Sequence, residues 1–402
     1  MKRVATCSLR IRASTPIPHR RNSSCRSGEP SRSTYAMTDW TAIDDPVKRL
    51  HGFVSGFHAT FYTYIGIECG LFEALVEPRT PDELASRLDL HEAYVRRFCE
   101  VGLRWGLLEV EPDEGIDQSN REAAERPGDR DRYAFRLCEP FVRPLADPDD
   151  AQYMGNLFRF AAVHLNEDYG NYPRYFRTGE TRPFVDRGPA FTDVIEGTTR
   201  GLQTIFVEKL IPESLPAFDA QLARGGRLLD VGCGTGHLAC RLCDQYSDLT
   251  VTGVDLDEDA VDRARERAID AGVSDRTTFR VRDATTAAAE GTSPFDAAVL
   301  FMSQHEIDED AREELFEVLD EALADDGVVA VFDEVYPAHP SAFDRSPFAT
   351  GVETQWSELA WGNVVPTVSE QRDLLASAGR TERSRTTFAD RFVVYEGVVD
   401  ND

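Results

Sequence analysis

Beyond Arg224 the chain repeats short apolar runs and longer stretches whose apolar positions recur every third or fourth residue. The runs predict strands over 227–231, 250–254, 278–282, 295–301, 327–333 and 392–398. The amphipathic stretches predict helices over 236–246, 258–271, 309–324 and 369–378. Strand-helix alternation of this kind implies an α/β fold, with a mostly parallel sheet covered on both faces and ligands at the carboxyl ends of its strands.

The first half of the chain reads differently. From Val47 to Val76, Leu50, Phe53, Val54, Phe57, Phe61, Tyr64, Ile65, Ile67 and Leu71 fall at helical spacing, with Gly52, Gly56, Gly66 and Gly70 allowing close approach. So dense an aromatic stripe predicts burial, against the chain's own core or a second subunit. In "TPDELASRLDL", Thr80, Pro81 and Glu83 form a helix start with a capping box. A second helix, "HEAYVRRFCEVGLRWGLLEV", closes at Gly102 or Gly106 and runs into a strand, and "YAFRL" (133–137) reads as its antiparallel partner. Helix, turn, helix and a two-stranded wing make a winged helix. Residues 141–220 read as helical and loop-rich, with Tyr153, Phe158, Phe160, Tyr169, Tyr172, Tyr175, Phe176 and Phe184. The expected organisation is a tail over 1–36, a winged-helix dimerisation domain over 37–145, a helical connector covering the site over 146–220, and a Rossmann-like domain over 221–402.

Charge narrows the partners. There are 71 Asp plus Glu against 44 Lys plus Arg, a net charge of -27, and the only lysines are Lys2, Lys48 and Lys209. An acidic surface nearly free of lysine suits strong brine, where screening lets carboxylates crowd; an acidic protein of ordinary habitat is the alternative. Either surface argues against nucleic acid or anionic membrane as the main partner. The presumed wing, Glu109 to Arg132, holds nine acids and four arginines, the wrong sign for phosphate. Residues 1–36 reverse the trend with eight bases and one acid, and read as a disordered basic tail or as sequence upstream of a natural start at Met37. The longest uncharged stretch, 52–67, is too short and too polar to span a membrane. Eight scattered cysteines fit reduced thiols in the cytoplasm, and Cys240 and Cys243 read as core residues of a helix rather than a metal or redox pair.

Candidate chemistry gathers at "LLDVGCGTGHLA" (228–239), where an apolar run ends in Asp230 and glycines stand at 232, 234 and 236 before a helix. Glycine lets a ligand meet bare backbone. The dinucleotide fingerprint would place a third glycine at 237, which is His237, so no pyrophosphate cradle is expected. Asp230 suits a ligand with a cationic amino acid moiety.

These residues resemble the first motif of class I S-adenosylmethionine-dependent methyltransferases, and further motifs follow in order. In that resemblance Gly232, Cys233, Gly234 and Gly236 line the methionine end of the cofactor, and Asp255, closing "VTGVD", accepts the ribose hydroxyls. Leu256 packs on adenine, Asp283 in "FRVRDAT" accepts from its amino group with Ala284 beside it, and Phe301 closes the fourth strand near the cofactor. "LADDGVVAVFDEV" is similar to the fifth strand and "LLASAGR" to the helix before a terminal hairpin. The winged-helix front end is similar to small-molecule O-methyltransferases of secondary metabolism, a family of homodimers joined through that domain. In place of the family's His-Asp-Trp stand His305, Glu306 and Ile307; the resemblance makes His305, as a neutral imidazole, the general base toward an acceptor hydroxyl. Trp356 and Trp361 fall where the family lines its acceptor pocket, and no metal is implied. An N- or C-methyltransferase, or a winged-helix regulator that binds S-adenosylmethionine, shares the same motifs.

Overall fold

A computed structural model describes residues 45–111, 133–289 and 294–400. The tail over 1–36, the start at Met37 and most of the wing, 112–132, lie outside the described residues.

The aromatic stripe begins as one helix, Pro46–Glu68, started by Asp45, whose carboxylate accepts from the Val47 and Lys48 N–H groups. It does not run to Val76. Gly70 turns the backbone left-handed (φ +66°), and a single helical turn, Leu71–Ala74, follows at a new angle. The helix Pro81–Leu88 carries the predicted capping box between Thr80 and Glu83, and the helix Glu92–Trp105 closes at Gly106, the second of the two glycines expected. Strands β1 (Leu108–Glu111) and β2 (Ala134–Leu137) then pair antiparallel. Tyr62, Phe72, Leu75, Leu84, Phe98 and Leu137 fill the core among these elements, with Tyr62 stacked on Phe98 at 4.2 Å.

The second half is a seven-stranded sheet: β3 (Arg227–Val231), β4 (Thr250–Asp255), β5 (Thr277–Val281), β6 (Phe295–Phe301), β7 (Leu323–Asp333), β8 (Thr381–Phe388) and β9 (Phe392–Val398). Their order is β5-β4-β3-β6-β7-β9-β8, with β9 antiparallel to both its neighbours, β7 and β8, and the other pairs parallel. Six of these strands and all four helices predicted here are present, within a residue or two except that β7 starts four residues early. Periodicity marked neither β8, the first strand of the terminal hairpin that the resemblance implied, nor the helices Ala284–Ala289 and Phe348–Glu358. One core packs each face of the sheet, and the run from Ala297 to Phe301 is buried throughout, as a central parallel strand must be. Cys240 and Cys243 lie in one of these cores.

The order places the switch point between β3 and β6, since the chain winds outward from β3 to β5 and returns to the other side at β6. The helices of 155–214 and the turn after Phe348–Glu358 share a separate aromatic cluster of Tyr172, Phe191 and Trp361.

Candidate active site

The glycine loop leaves β3 at the switch point. The Gly232 and Cys233 N–H groups both donate to the Val254 carbonyl, at 2.9 and 3.0 Å, which ties the loop to β4. At Gly234 (φ +49°) a Cβ would meet nothing within 4 Å, so the loop opens there onto free space. At Gly236 (φ +73°) a Cβ would come within 2.7 Å of Ala264 Cβ. The first glycine admits a ligand and the last admits a helix.

Asp230, ending the strand below this loop, is 1% exposed, and its Oδ2 has no hydrogen-bond partner. Burial, with the Asp255 charge adding, pushes its carboxyl up to about 7. Asp255 receives the Gly234 N–H at 2.8 Å and the Asp257 N–H at 3.0 Å. Burial still raises it above the ordinary range, because those bonds oppose burial without cancelling it. Leu256 stands 62% exposed at the end of β4. Asp283 is exposed, receives the Thr285 N–H at 2.9 Å and leads into the helix carrying Ala284. An orphaned buried carboxylate, bare loop backbone, a second acid at the next strand end and an uncovered leucine fit a bound amino acid–nucleoside. Cys233 is buried, with Gly253 against its side chain. Phe301 lies in the core, stacked on Phe332 at 4.5 Å.

Next to the glycine loop, β6 turns sharply. Met302 is left-handed (φ +54°), a rare geometry for a methionine, and its N–H is anchored on the Phe332 carbonyl at 2.7 Å. Ser303 Oγ then donates to the Val231 carbonyl at 2.7 Å, bolting this turn to the end of β3. His305 follows, 2% exposed, with Nδ1 2.5 Å from Asp333 Oδ1 at the end of β7. Burial alone would lower its pKa; the Asp333 charge and hydrogen bond overcome this, Glu358 and Glu306 add to them, and the imidazole is pushed up to about 10. The Asp333 carboxylate thus favours the charged form of the ring and fixes its Nδ1 side. Arg312 holds the turn from outside, donating to the His305 and Ile307 carbonyls at 3.0 and 2.9 Å.

Two more carboxyls face this pair. Glu306 is exposed, and the protein packed around it together with Glu358, Asp255 and Asp333 raises its carboxyl above the ordinary range, with His305 opposing. Burial likewise pushes Glu358 up to about 7 against His305 and the Asn363 amide, which donates to it at 2.8 Å. Asp333 was discoverable as the polar residue ending an apolar strand. Glu358 had no such signal, standing in a helix that periodicity missed.

The predicted pocket tryptophans part company. Trp361 is buried and donates to Asp168 Oδ2 at 3.0 Å, the atom that Arg187 meets at 2.8 Å. Trp356 is half exposed, edge-on to Tyr172. His164, on a widened π-type helical turn, packs edge-on against Phe191 5.1 Å away, whereas His339 is exposed and pairs with Ser341.

Residues 228–327 match the family described as "Methyltransferase domain". Over 63 residues the chain is 46% identical to 27-O-demethylrifamycin SV methyltransferase of Amycolatopsis mediterranei, and over 93 residues 33% identical to trans-aconitate 2-methyltransferase of Rhodococcus jostii. These alignments cover 16% and 23% of this chain and only 23% and 34% of the relatives' lengths. Among solved structures, an O-methyltransferase family protein from Burkholderia thailandensis superposes with TM-score 0.68 at 16% identity, covering 89% of this chain and 99% of that one. Human N-acetylserotonin methyltransferase, solved with S-adenosylmethionine, gives 0.67 at 16% identity, covering 90% and 99%. Such identities establish the fold, and they do so across nearly the whole chain. Sheet order, glycine loop and matched family agree: from β3 onward the chain has the class I S-adenosylmethionine-dependent methyltransferase fold, with residues 228–327 matching the methyltransferase-domain family.

Proposed function

We propose that the protein transfers a methyl group from S-adenosylmethionine to a hydroxyl oxygen of a small-molecule acceptor. The observation that carries this reading is the switch point, where Asp230 Oδ2 is buried without a partner and Gly234 opens onto free space on the β3 side, with the His305–Asp333 pair at the ends of β6 and β7. When bound, the cofactor supplies a methyl carbon activated by a sulfonium. Asp230 accepts the cationic amino end, Gly232, Cys233, Gly234 and Gly236 give it bare backbone, and Asp255 takes the ribose hydroxyls. Leu256 covers the adenine, with Asp283 and Ala284 beside it, while Phe301, buried against Phe332, backs the site from the core. The names of the similar proteins favour oxygen as the accepting atom over nitrogen or carbon.

Catalysis at such a site rests first on holding the two reactants in line. Residues 146–220 serve as the cover, and 37–145 as a winged-helix domain that pairs two copies. The helix Pro46–Glu68 leaves Val47, Leu50, Val54, Phe57 and Ile65 between 47% and 61% exposed, a stripe suited to its own symmetry mate. Among the described residues no helix is long and apolar enough to cross a membrane. The setting we assign is the cytoplasm of a salt-loving cell, on the strength of the lysine-poor acidic surface. Titration calorimetry with S-adenosylmethionine, followed by label transfer from the methyl-labelled cofactor into a small-molecule extract, tests the function. No binding heat from folded protein would overturn it.

A further inference from the structure

Asp168 shares the signature of Asp230 in a different layer of the fold. It is 1% exposed, and its Oδ1 has no hydrogen-bond partner among the described residues. Its Oδ2 is well served: the Trp361 indole donates to it at 3.0 Å and the Arg187 guanidinium at 2.8 Å. Arg187 is otherwise held elsewhere. Its Nε and Nη2 donate to the Arg182 carbonyl, and its guanidinium carbon lies 4.7 and 4.9 Å from the centres of the Phe191 and Trp361 rings. A buried oxygen left bare is costly unless something brings it a donor.

The surroundings say what kind of molecule brings it. Trp361 and Phe191 belong to the aromatic cluster beneath the helices of 155–214, whose neighbours Phe160, Phe184 and Ile195 are only partly buried. Contacts run from this cluster to both sides of the switch point. Beside Phe191, Thr192 Oγ1 donates to Asp257 Oδ2 at 3.3 Å, two residues past Asp255. Three residues after Trp361, the Val364 carbonyl receives Arg312, which also donates to the His305 carbonyl at 3.0 Å. Asp168 Oδ1 is thus an unfilled acceptor in apolar surroundings, tied to the loop after β4 on one side and to the turn after β6 on the other.

We propose that Asp168 Oδ1 selects the methyl acceptor by receiving a hydrogen bond from a hydroxyl or amino group that the acceptor carries, on an otherwise apolar body, apart from the oxygen being methylated. The inference rests on the methyl-transfer reading above and narrows its substrate class. A molecule with that second donor fills the bare oxygen, whereas an analogue without it leaves the oxygen dry and unpaired. Sites built this way reject the lacking analogue far more strongly than an apolar pocket rejects a missing methylene. Asp168 takes no part in the bond changes; it sets specificity.

The substitution Asp168→Asn reverses the polarity of this one atom. Trp361 and Arg187 are both donors and hold the amide oxygen where Oδ2 stood, so the amide nitrogen, itself a donor, replaces Oδ1. Calorimetry titrates two pairs of probes that differ by one hydroxyl, naphthalene-2,3-diol with 2-naphthol and catechol with phenol, into full-length wild type and variant. Each protein is measured alone and with S-adenosylhomocysteine, which allows no turnover, and S-adenosylmethionine is titrated separately. Wild type should bind the diol of a pair ~10–100-fold more tightly. Asp168→Asn should lose or invert that preference with its cofactor affinity unchanged. Equal affinities within both pairs in wild type, no binding of any of the four probes, or a diol preference that survives in the variant overturns the proposal. Should Asp168→Asn unfold too early to be titrated, Asp168→Asn combined with Arg187→Gln removes the stranded charge and carries the same expectation. A diol preference that depends on Asp168 in a protein that binds no S-adenosylmethionine overturns the methyl-transfer reading alone.

Discussion

Replacing Asp230 by asparagine should stabilise the empty protein while weakening its hold on the cofactor. The carboxyl is 1% exposed and its Oδ2 lacks a partner, and burial takes it from an ordinary 3.8 up to about 7. Between those values the folded state holds a proton that the unfolded chain releases, so stability falls as pH rises through the window and levels off above 7. A gap of that size corresponds to about 4 kcal/mol, an upper bound on what the bare charge costs the fold at pH 8. Asparagine carries no charge, so the empty Asp230→Asn protein should exceed wild type at pH 8 by ~1–4 kcal/mol, with the advantage fading toward pH 4. Against the cofactor's ammonium the same change removes a charge-assisted hydrogen bond of ~1.5–3 kcal/mol, a loss of ~10–150-fold in affinity. Wild-type affinity should also weaken below pH 7 as Asp230 takes up its proton, whereas the variant's should not follow that titration. Denaturant unfolding at pH 5 and pH 8, with calorimetry on the same samples, measures both. A variant that is less stable than wild type at pH 8 and binds the cofactor equally well would refute the electrostatic reasoning.

Other perturbations separate the loop's duties and those of the outer elements. Gly236→Ala meets Ala264 and a left-handed backbone, and should lose ~2–4 kcal/mol in denaturant unfolding; Gly234→Ala should lose only ~1–2 kcal/mol but weaken cofactor binding, since its Cβ enters the cleft. Leu50→Glu with Phe57→Glu on the exposed helix stripe should halve the mass seen by light scattering without lowering the melting temperature of the monomer. Asp168→Ala strands the buried Arg187 and should cost ~3–5 kcal/mol, whereas replacing both by apolar residues should recover most of it.

How much could be read beforehand depended on how each element is buried. β3, β4, β6, β7 and β9 lie within the sheet, and their apolar runs marked them. The edge strand β8, "TERSRTTF", is polar and partly exposed along its length, and its turn uses left-handed Ala389 and Asp390 rather than Asn-Gly. Nothing in its residues announces a hairpin. The helix Phe348–Glu358 mixes Thr, Gln and Glu into its buried side, so its periodicity was faint and Glu358 went unnoticed. Asp230, Asp255 and Asp283 were legible because each stands at or just past the carboxyl end of a strand. The partner of His305 was not, because Asp333 stands 28 residues away in sequence and meets the ring only in space.

The left-handed Met302 has a consequence for how the cleft can change. An L-residue in that conformation costs ~1–2 kcal/mol, yet it swings Ser303 onto Val231 and His305 onto Asp333 within three positions. Glycine at this spot would relieve the cost and free the turn, giving a sturdier protein with a poorly aimed histidine. Variation in acceptor preference should therefore accumulate in the covering helices, while this corner resists drift.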